Sequence, residues 1–244
     1  FGTRENPSLS IPPMSMRGSR IWHKAKISPV TFYRRAPRGN SPMHAMRRIC
    51  VFCGSRSGGR PEFAAAARNL GALLAGHNLG LVYGGGKVGL MGVLADAVMA
   101  AGGEVIGVIP GSLADKEVAH GGISELRVVS TMHERKALMA ELSDAFIALP
   151  GGFGTLDETF EILTWAQLGL HTKPCGMLNA GGYFDSLLVF LDSAVQEGFL
   201  QPAHRRLLVQ AENPETLLRK LAHIFGRQTP AQGAEGLSEP QRRI

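Results

Sequence analysis

The sequence predicts an α/β protein: a Rossmann-like, doubly wound parallel sheet with helices on both faces. Three observations lead there. Short apolar runs alternate with stretches of helical length between residues 48 and 225. The runs are continuous, without polar alternation, as strands buried on both faces must be. Many of the thirty-one glycines fall where those runs end, a placement that suits backbone-lined loops better than low complexity.

Taken in order, "RICVFCG" reads as a first strand closed by glycine. "PEFAAAARNLGALLAG" reads as a helix with Pro61 in its first turn, where a missing N–H costs nothing. "LGLVYGGG" is a second strand, and "VGLMGVLADAVMAAGG" a helix ending in glycines. "EVIGVIP" is a third strand. "LRVVS" and "AFIALPGG" are further strands, separated by a helix from about Met132 to Leu142. "CGMLN", a helix near Phe184–Glu197, "RLLVQ" and a helix after Asn213 complete the pattern. Such sheets bind ligands outside the carboxyl ends of their strands, so the loops there are where function is sought.

This patterned region spans 47–227. Residues 1–46, rich in Pro, Ser and Arg, lack apolar periodicity and read as a disordered extension; 228–244 read as a disordered tail. The leader's composition fits an organelle transit peptide loosely, but its prolines do not suit an amphipathic targeting helix. Met43 and Met46 stand just before the first strand, so the expectation is an upstream extension of a shorter natural product.

With 44% hydrophobic and 19% charged residues, the composition is that of a soluble globular protein, and no apolar run is long enough for a membrane span. Neither a membrane nor a nucleic-acid partner is expected. Residues 1–48 hold ten Lys/Arg and one acid, leaving sixteen Lys/Arg against nineteen Asp/Glu in the remainder. The formal charge of +6 therefore comes from the leader, and the folded body is mildly acidic. Three cysteines cannot build a disulfide framework and suit a reducing, cytoplasmic setting. Cys50 and Cys53 form a C-x-x-C, but on a strand residues three apart point to opposite faces, so they read as core thiols. No His/Cys/Asp set has metal-ligand spacing, so no metal is expected.

Two glycine loops carry the functional signal. In "GGGKVG", residues Gly84, Gly86 and Gly89 satisfy G-x-G-x-x-G between a strand and a helix. The following strand ends in "GVIP" without an acid, and Asp115 comes only beyond it, which argues against a dinucleotide. Phosphate binding at Gly84, Gly85 and Gly86, or a tight turn with close helix packing, both remain open. In "PGGFGTLDE", Gly151, Gly152 and Gly154 let backbone amides approach a ligand, and a helix expected from Thr155 aims its positive end at the same spot. Thr155 and Glu158 also have the spacing of a capping box, which needs no ligand. The preceding glycines, which a cap does not require, favour an anion site with an acid beside it. In "STMHERK", Thr131 and Glu134 are spaced as another capping box. Arg135 and Lys136 follow, suited to a phosphate or a hydroxyl-bearing substrate, or to a solvated helix face.

Together, "CVFCGSRSG", "LVYGGGKVGLMG", "MHERKALM" and "LPGGFGTLDETFEILTWAQLG" resemble the Lonely Guy family, from about Arg48 to Phe225. The resemblance implies a Rossmann-like fold, a homodimer or larger assembly, and no cofactor. It also implies hydrolysis of the N-glycosidic bond of (cytokinin) nucleoside 5′-monophosphates to free base and ribose 5-phosphate. By motif it makes Glu158 and Arg135 catalytic. It places Lys136, Gly151, Gly152, Gly154, Thr155 and Asp157 on the substrate, together with Glu117 in "SLADKE" and Thr164 in "ILTWAQ". Asp157 stands where many relatives carry Glu, leaving open which of the two acids is nearer the sugar. The chemistry agrees: breaking a ribosyl C–N bond builds positive charge on the sugar, which a fixed carboxylate stabilises while it orients or deprotonates water. Competing expectations are a non-catalytic nucleotide sensor, a housekeeping activity of the AMP nucleosidase type, and the decarboxylase label the family often carries.

Overall fold

The computed structural model describes residues 45–114 and 119–228. Seven strands form one sheet: β1 (Arg48–Phe52), β2 (Gly80–Tyr83), β3 (Val105–Pro110), β4 (Glu125–Val129), β5 (Ala145–Ala148), β6 (Cys175–Leu178) and β7 (Leu208–Ala211). Every pairing is parallel, in the order β4-β3-β2-β1-β5-β6-β7. The chain thus starts in the middle, works outward to β4, then returns to the other side of β1. The doubly wound expectation is met, with the reversal of order between β1 and β5.

The helices are α1 (Pro61–Gly76), α2 (Gly89–Ala100), α3 (Met132–Glu141), α4 (Phe153–Gln167), α5 (Asp185–Gln196) and α6 (Pro214–Gln228), with single turns at Gly111–Ala114 and Pro202–Arg205. Alternate strand residues feed two cores. Ile49, Val51 and Cys53 of the first strand segment, with Leu81 and Ile147, pack under α1, α2 and α6. Cys50, Phe52, Val82 and Phe146 point the other way, toward Met139 of α3 and Ile162 of α4. Leu188 of α5 closes a third cluster over Met177 and Leu208. Cys50 and Cys53 therefore do lie on opposite faces, both buried and unpaired. Strands β1, β2, β3, β5 and β6 are buried along most of their length, so the middle of the sheet has no solvated face, while the edge strands β4 and β7 are partly exposed. No helix among the described residues is long and apolar enough to cross a membrane.

Candidate active site

The chain leaves β5 at Ala148, runs through Pro150 and Gly151, and enters α4 at Phe153. Gly152 is the N-cap, in an extended conformation, with no side-chain cap and no acid in the first turn. The first-turn amides lack an intrahelical partner, and no acid in the first turn offsets the positive end of the helix. This corrects one expectation: the helix begins two residues before Thr155, and Thr155 with Glu158 is not a capping box. The cause is steric. Gly151 has no Cβ where one would stand 2.6 Å from Thr155 Cβ and 2.9 Å from Gly54 N, so the turn closes tightly and Thr155 is buried in the first turn. Glu158, half-buried, comes a turn later, past any capping position.

Helix α3 delivers the opposite charge. Its start follows the capping spacing expected from sequence, with the return bond one residue earlier than in a regular box: Glu134 N donates to Thr131 Oγ1 at 3.1 Å, and Ser130 N, before the N-cap Thr131, donates to Glu134 Oε2 at 2.8 Å. One residue on, Arg135 is only 5% exposed. Its Nε donates to Val108 O at 3.1 Å and its Nη2 to Gly84 O at 2.8 Å. Those carbonyls belong to β3 and to the loop leaving β2, so the guanidinium is held by backbone at the carboxyl edge of the sheet. Gly84 is required there, since a Cβ would overlap Nη2.

These groups share a cavity of about 550 Å³ at the β1/β5 reversal, within the ordinary size range of small-ligand sites. Arg135, Glu158, Gly84, Gly151, Gly152, Gly154 and Thr155 line it. So do the loop Gly54–Gly58 beyond β1, Leu90 and Met91 of α2, and Tyr183 beyond β6. Two backbone bonds fix the loops to one another: Gly54 N donates to Pro150 O, and Leu90 N donates to Gly54 O, each at 3.0 Å. Helix α2 likewise starts without a side-chain cap or a first-turn acid. The uncapped start of α4 thus faces one cavity with the start of α2, whose Leu90 amide is already taken by Gly54 O, and with a carboxylate and a guanidinium on its walls. Burial first, and then the Glu158 charge, push the Cys53 thiol far above its ordinary range. The same two causes raise Cys50, with a hydrogen bond from Ser143 and then the Arg135 charge opposing. An anion fits the amides, and a developing cation fits the carboxylate.

Other expected residues lie elsewhere. Lys136 Nζ is 2.7 Å from Glu161 Oε2 and 3.2 Å from Asp157 Oδ2, joining α3 to α4; neither Lys136 nor Asp157 lines the cavity. Burial alone would lower the Lys136 pKa, but hydrogen bonds and charge from Glu161 and Asp157 outweigh it and raise the value. Successive helix residues point about 100° apart, so only one of Arg135 and Lys136 can enter the cavity. Thr164 Oγ1 donates to Phe160 O at 2.7 Å, within α4 and away from the cavity wall. Gly85 and Gly86 stand behind Gly84: Gly85 (φ +79°) accepts from His120 N at 3.0 Å, and Gly86 bridges to Ala119. Glu117 lies outside the described residues. The sequence reading missed the Ser55–Ser57 segment of the β1 loop and Tyr183. The first had a signal, a glycine-closed strand whose carboxyl end must face the ligand; the second had none beyond a Gly-Gly pair.

Residues 91–221 match a family model described as possible lysine decarboxylase. The chain is 55% identical over 175 residues to a probable cytokinin riboside 5′-monophosphate phosphoribohydrolase of Oryza sativa subsp. japonica (LOGL9), covering 72% of this chain and 77% of that one. It is 54% identical over 175 residues to a cytokinin riboside 5′-monophosphate phosphoribohydrolase of Arabidopsis thaliana (LOG7), covering 72% and 81%. Another from Arabidopsis thaliana (LOG1) is 52% identical over 181 residues, covering 74% and 85%. Among solved structures, the molybdenum cofactor binding protein of Rippkaea orientalis superposes with a TM-score of 0.56 at 23% identity, covering 73% of this chain and 96% of that one. That likeness shows the fold alone.

Proposed function

Because the chain belongs to the Lonely Guy family, we propose that it hydrolyses the N-glycosidic bond of nucleoside 5′-monophosphates, cytokinin nucleotides among them, to free base and ribose 5-phosphate. One observation carries the reading beyond family membership: Glu158 and the buried Arg135 share a cavity with the uncapped start of α4. The 5′-phosphate sits on the amides around Gly152–Thr155, which also receive the helix dipole. That docking puts the ribose toward Glu158 in the next turn. As the C1′–N bond lengthens, positive charge on the sugar is met by the Glu158 carboxylate, which also orients or deprotonates the attacking water. The water oxygen ends on C1′, and its proton leaves with the base. Arg135, fixed by Gly84 O and Val108 O, aligns carboxylate and sugar and needs no reorganisation during the step. Of the two adjacent acids, Glu158 lines the cavity and Asp157 is held by Lys136, which favours Glu158 as the acid beside the sugar.

The test is base release from adenosine monophosphate and from isopentenyladenosine monophosphate, followed by chromatography, for the wild type and Glu158→Gln. Release by the wild type and none by the variant is expected; unchanged turnover in the variant would refute the assignment. A substrate panel then sets the base preference. The decarboxylase description of the matched family model calls for a Schiff-base lysine of depressed pKa. The pKa of Lys136 is raised instead, and Lys87 is exposed.

The same reading includes a homodimer or larger assembly acting in the cytoplasm. Leu168 and Leu170 beyond α4, with Val189 and Phe190 on α5, are each 66–70% exposed, apolar surface that a second copy would cover. Light scattering at a monomer mass would refute the assembly. The three buried, unpaired thiols suit a reducing compartment, which fractionation would test.

A further inference from the structure

We propose that Tyr183 is a positioning residue for the phosphate loop, acting through its hydroxyl on Gly151; the inference rests on the phosphoribohydrolase reading. Beyond β6 the chain turns through Gly181 (φ +57°) and Gly182 (φ +69°), and Tyr183 follows. That turn is held on both sides. Asn179 Nδ2 donates to Asp185 Oδ1 at 2.6 Å, and Phe184 N donates to Asn179 Oδ1 at 2.7 Å. Arg60 Nη1 donates to Gly181 O at 3.0 Å, with its guanidinium 4.4 Å from the Phe63 ring centroid. The Tyr183 ring meets Phe63 and Phe184 edge-on, with centroids 5.4 and 4.9 Å away. So the ring is fixed by packing rather than by its hydroxyl, and the oxygen is delivered to Gly151 O, to which it donates at 2.6 Å. Tyr183 also lines the cavity wall.

What the bond does follows from peptide geometry. There are no cis peptides among the described residues, so the Gly152 N–H is antiparallel to the Gly151 carbonyl. Fixing one fixes the other. Gly151 and Gly152 are adjacent residues without side chains, and their own φ/ψ preferences do not choose an orientation for the peptide between them. The choice comes from outside the loop, and Tyr183 supplies it. A donor on the carbonyl also polarises the peptide, strengthening its N–H toward an anion. Removing the hydroxyl leaves the cavity's shape and its carboxylate in place but lets the amide at the N-cap turn. The loss therefore falls on phosphate binding and not on the bond-breaking step.

The experiment compares the full wild-type chain with Tyr183→Phe, which keeps the ring. KM and kcat are measured with adenosine monophosphate, Kd for ribose 5-phosphate by calorimetry, and the thermal midpoint alongside. KM and Kd should rise together by roughly threefold to tenfold, with kcat changed by less than about twofold and the midpoint lowered by no more than the ~2–4 °C that one intramolecular hydrogen bond accounts for. An unchanged KM and Kd, or a loss that appears in kcat or in the midpoint instead, would overturn the inference. A wild type that binds ribose 5-phosphate without releasing base fails the enzymatic reading alone, since the two Kd values still decide on Tyr183. A wild type that does neither overturns both.

Discussion

The contact between Gly84 and Arg135 allows the sharpest perturbation, Gly84→Ala. One added methyl would overlap Arg135 Nη2 and stand 3.2 Å from both Arg135 Cζ and Met91 Sδ. Carbon contacts are comfortable only from about 3.5 Å, and the Nη2 overlap is worse, so the guanidinium must retreat by close to ~1 Å. It has little room to do so, because Nη2 is bonded to the carbonyl of the substituted residue itself and Nε to Val108 O. Losing the Gly84 bond costs stability by about 1.5–3 kcal/mol, the range for a hydrogen bond to a charged group. The larger effect is on rate: misplacing a catalytic group by about 1 Å costs on the order of 100-fold, equivalent to ~2.7 kcal/mol of barrier. Stopped-time chromatography of base release gives kcat, and urea denaturation gives the stability. A variant with wild-type kcat would mean that Arg135 tolerates displacement, and the claim that its anchored position matters for catalysis would fall. Gly154→Ala serves as the contrast, because nothing stands within 4 Å of the Cβ it would gain. Its stability should stay near the wild type's.

Three further outcomes are expected. Glu158→Gln abolishes base release while the chain still unfolds in one cooperative urea transition, since the half-buried side chain keeps its shape. Lys136→Met leaves Glu161, at 24% exposure, without its cation and lowers stability by about 1–3 kcal/mol, between surface and buried pairs. Because the Lys136 pKa is raised above its unfolded 10.5, the stabilisation is fully present below that pH and is lost as pH rises through the folded value; the gap between wild type and variant should close only there. The His171 pKa is lowered, chiefly by burial, with the Ile162 carbonyl opposing and Lys173 assisting. The unfolded chain therefore takes up the proton first, and stability is lost as pH falls below 6.5; His171→Phe should flatten that acid limb in urea midpoints taken across the range.

How much of this was legible in the sequence differs by level. The strands were, because a sheet covered on both faces writes continuous apolar runs such as "VIGVIP" and ends them at glycine or proline. That the loop Gly151–Thr155 borders a cavity was legible from its glycines at a strand end, whereas Arg135 and Glu158, which line the same cavity, were singled out by the family resemblance, their local spacing fitting a helix cap or a solvated face as well. The start of α4 was not. T-x-x-E is a sound capping signal, but it competes here with a Gly-Gly pair that admits the turn two residues earlier and packs Thr155 onto Gly151. Nor was the separation of Arg135 from Lys136 visible, since adjacency in sequence hides the 100° step that sends one to the cavity and the other to Asp157 and Glu161. Tyr183 was beyond reach because its meaning depends on a carbonyl thirty-two residues away.

The glycines of these loops serve the protein's own packing. The missing Cβ of Gly84 is where the Arg135 guanidinium lies, and that of Gly151 is where Thr155 and the Gly54 amide close in. Each removes a side chain so that another part of the protein, not only a substrate, can approach the backbone. The result is a loop set locked by Gly54 N to Pro150 O, Leu90 N to Gly54 O and Tyr183 Oη to Gly151 O. Glycine-rich segments left to themselves are the most adaptable backbone available, and an adaptable cradle would have to be ordered each time a substrate bound. On the proposed reading, the amides and Arg135, held this way, are ordered before a nucleotide arrives. Electrostatic catalysis demands this, because dipoles that must turn toward a developing charge return much of the stabilisation they give. The glycine content and the rigidity of the site are thus one property, and a substitution that adds a methyl at Gly84 or Gly151 should disturb the protein's own contacts before it touches any ligand.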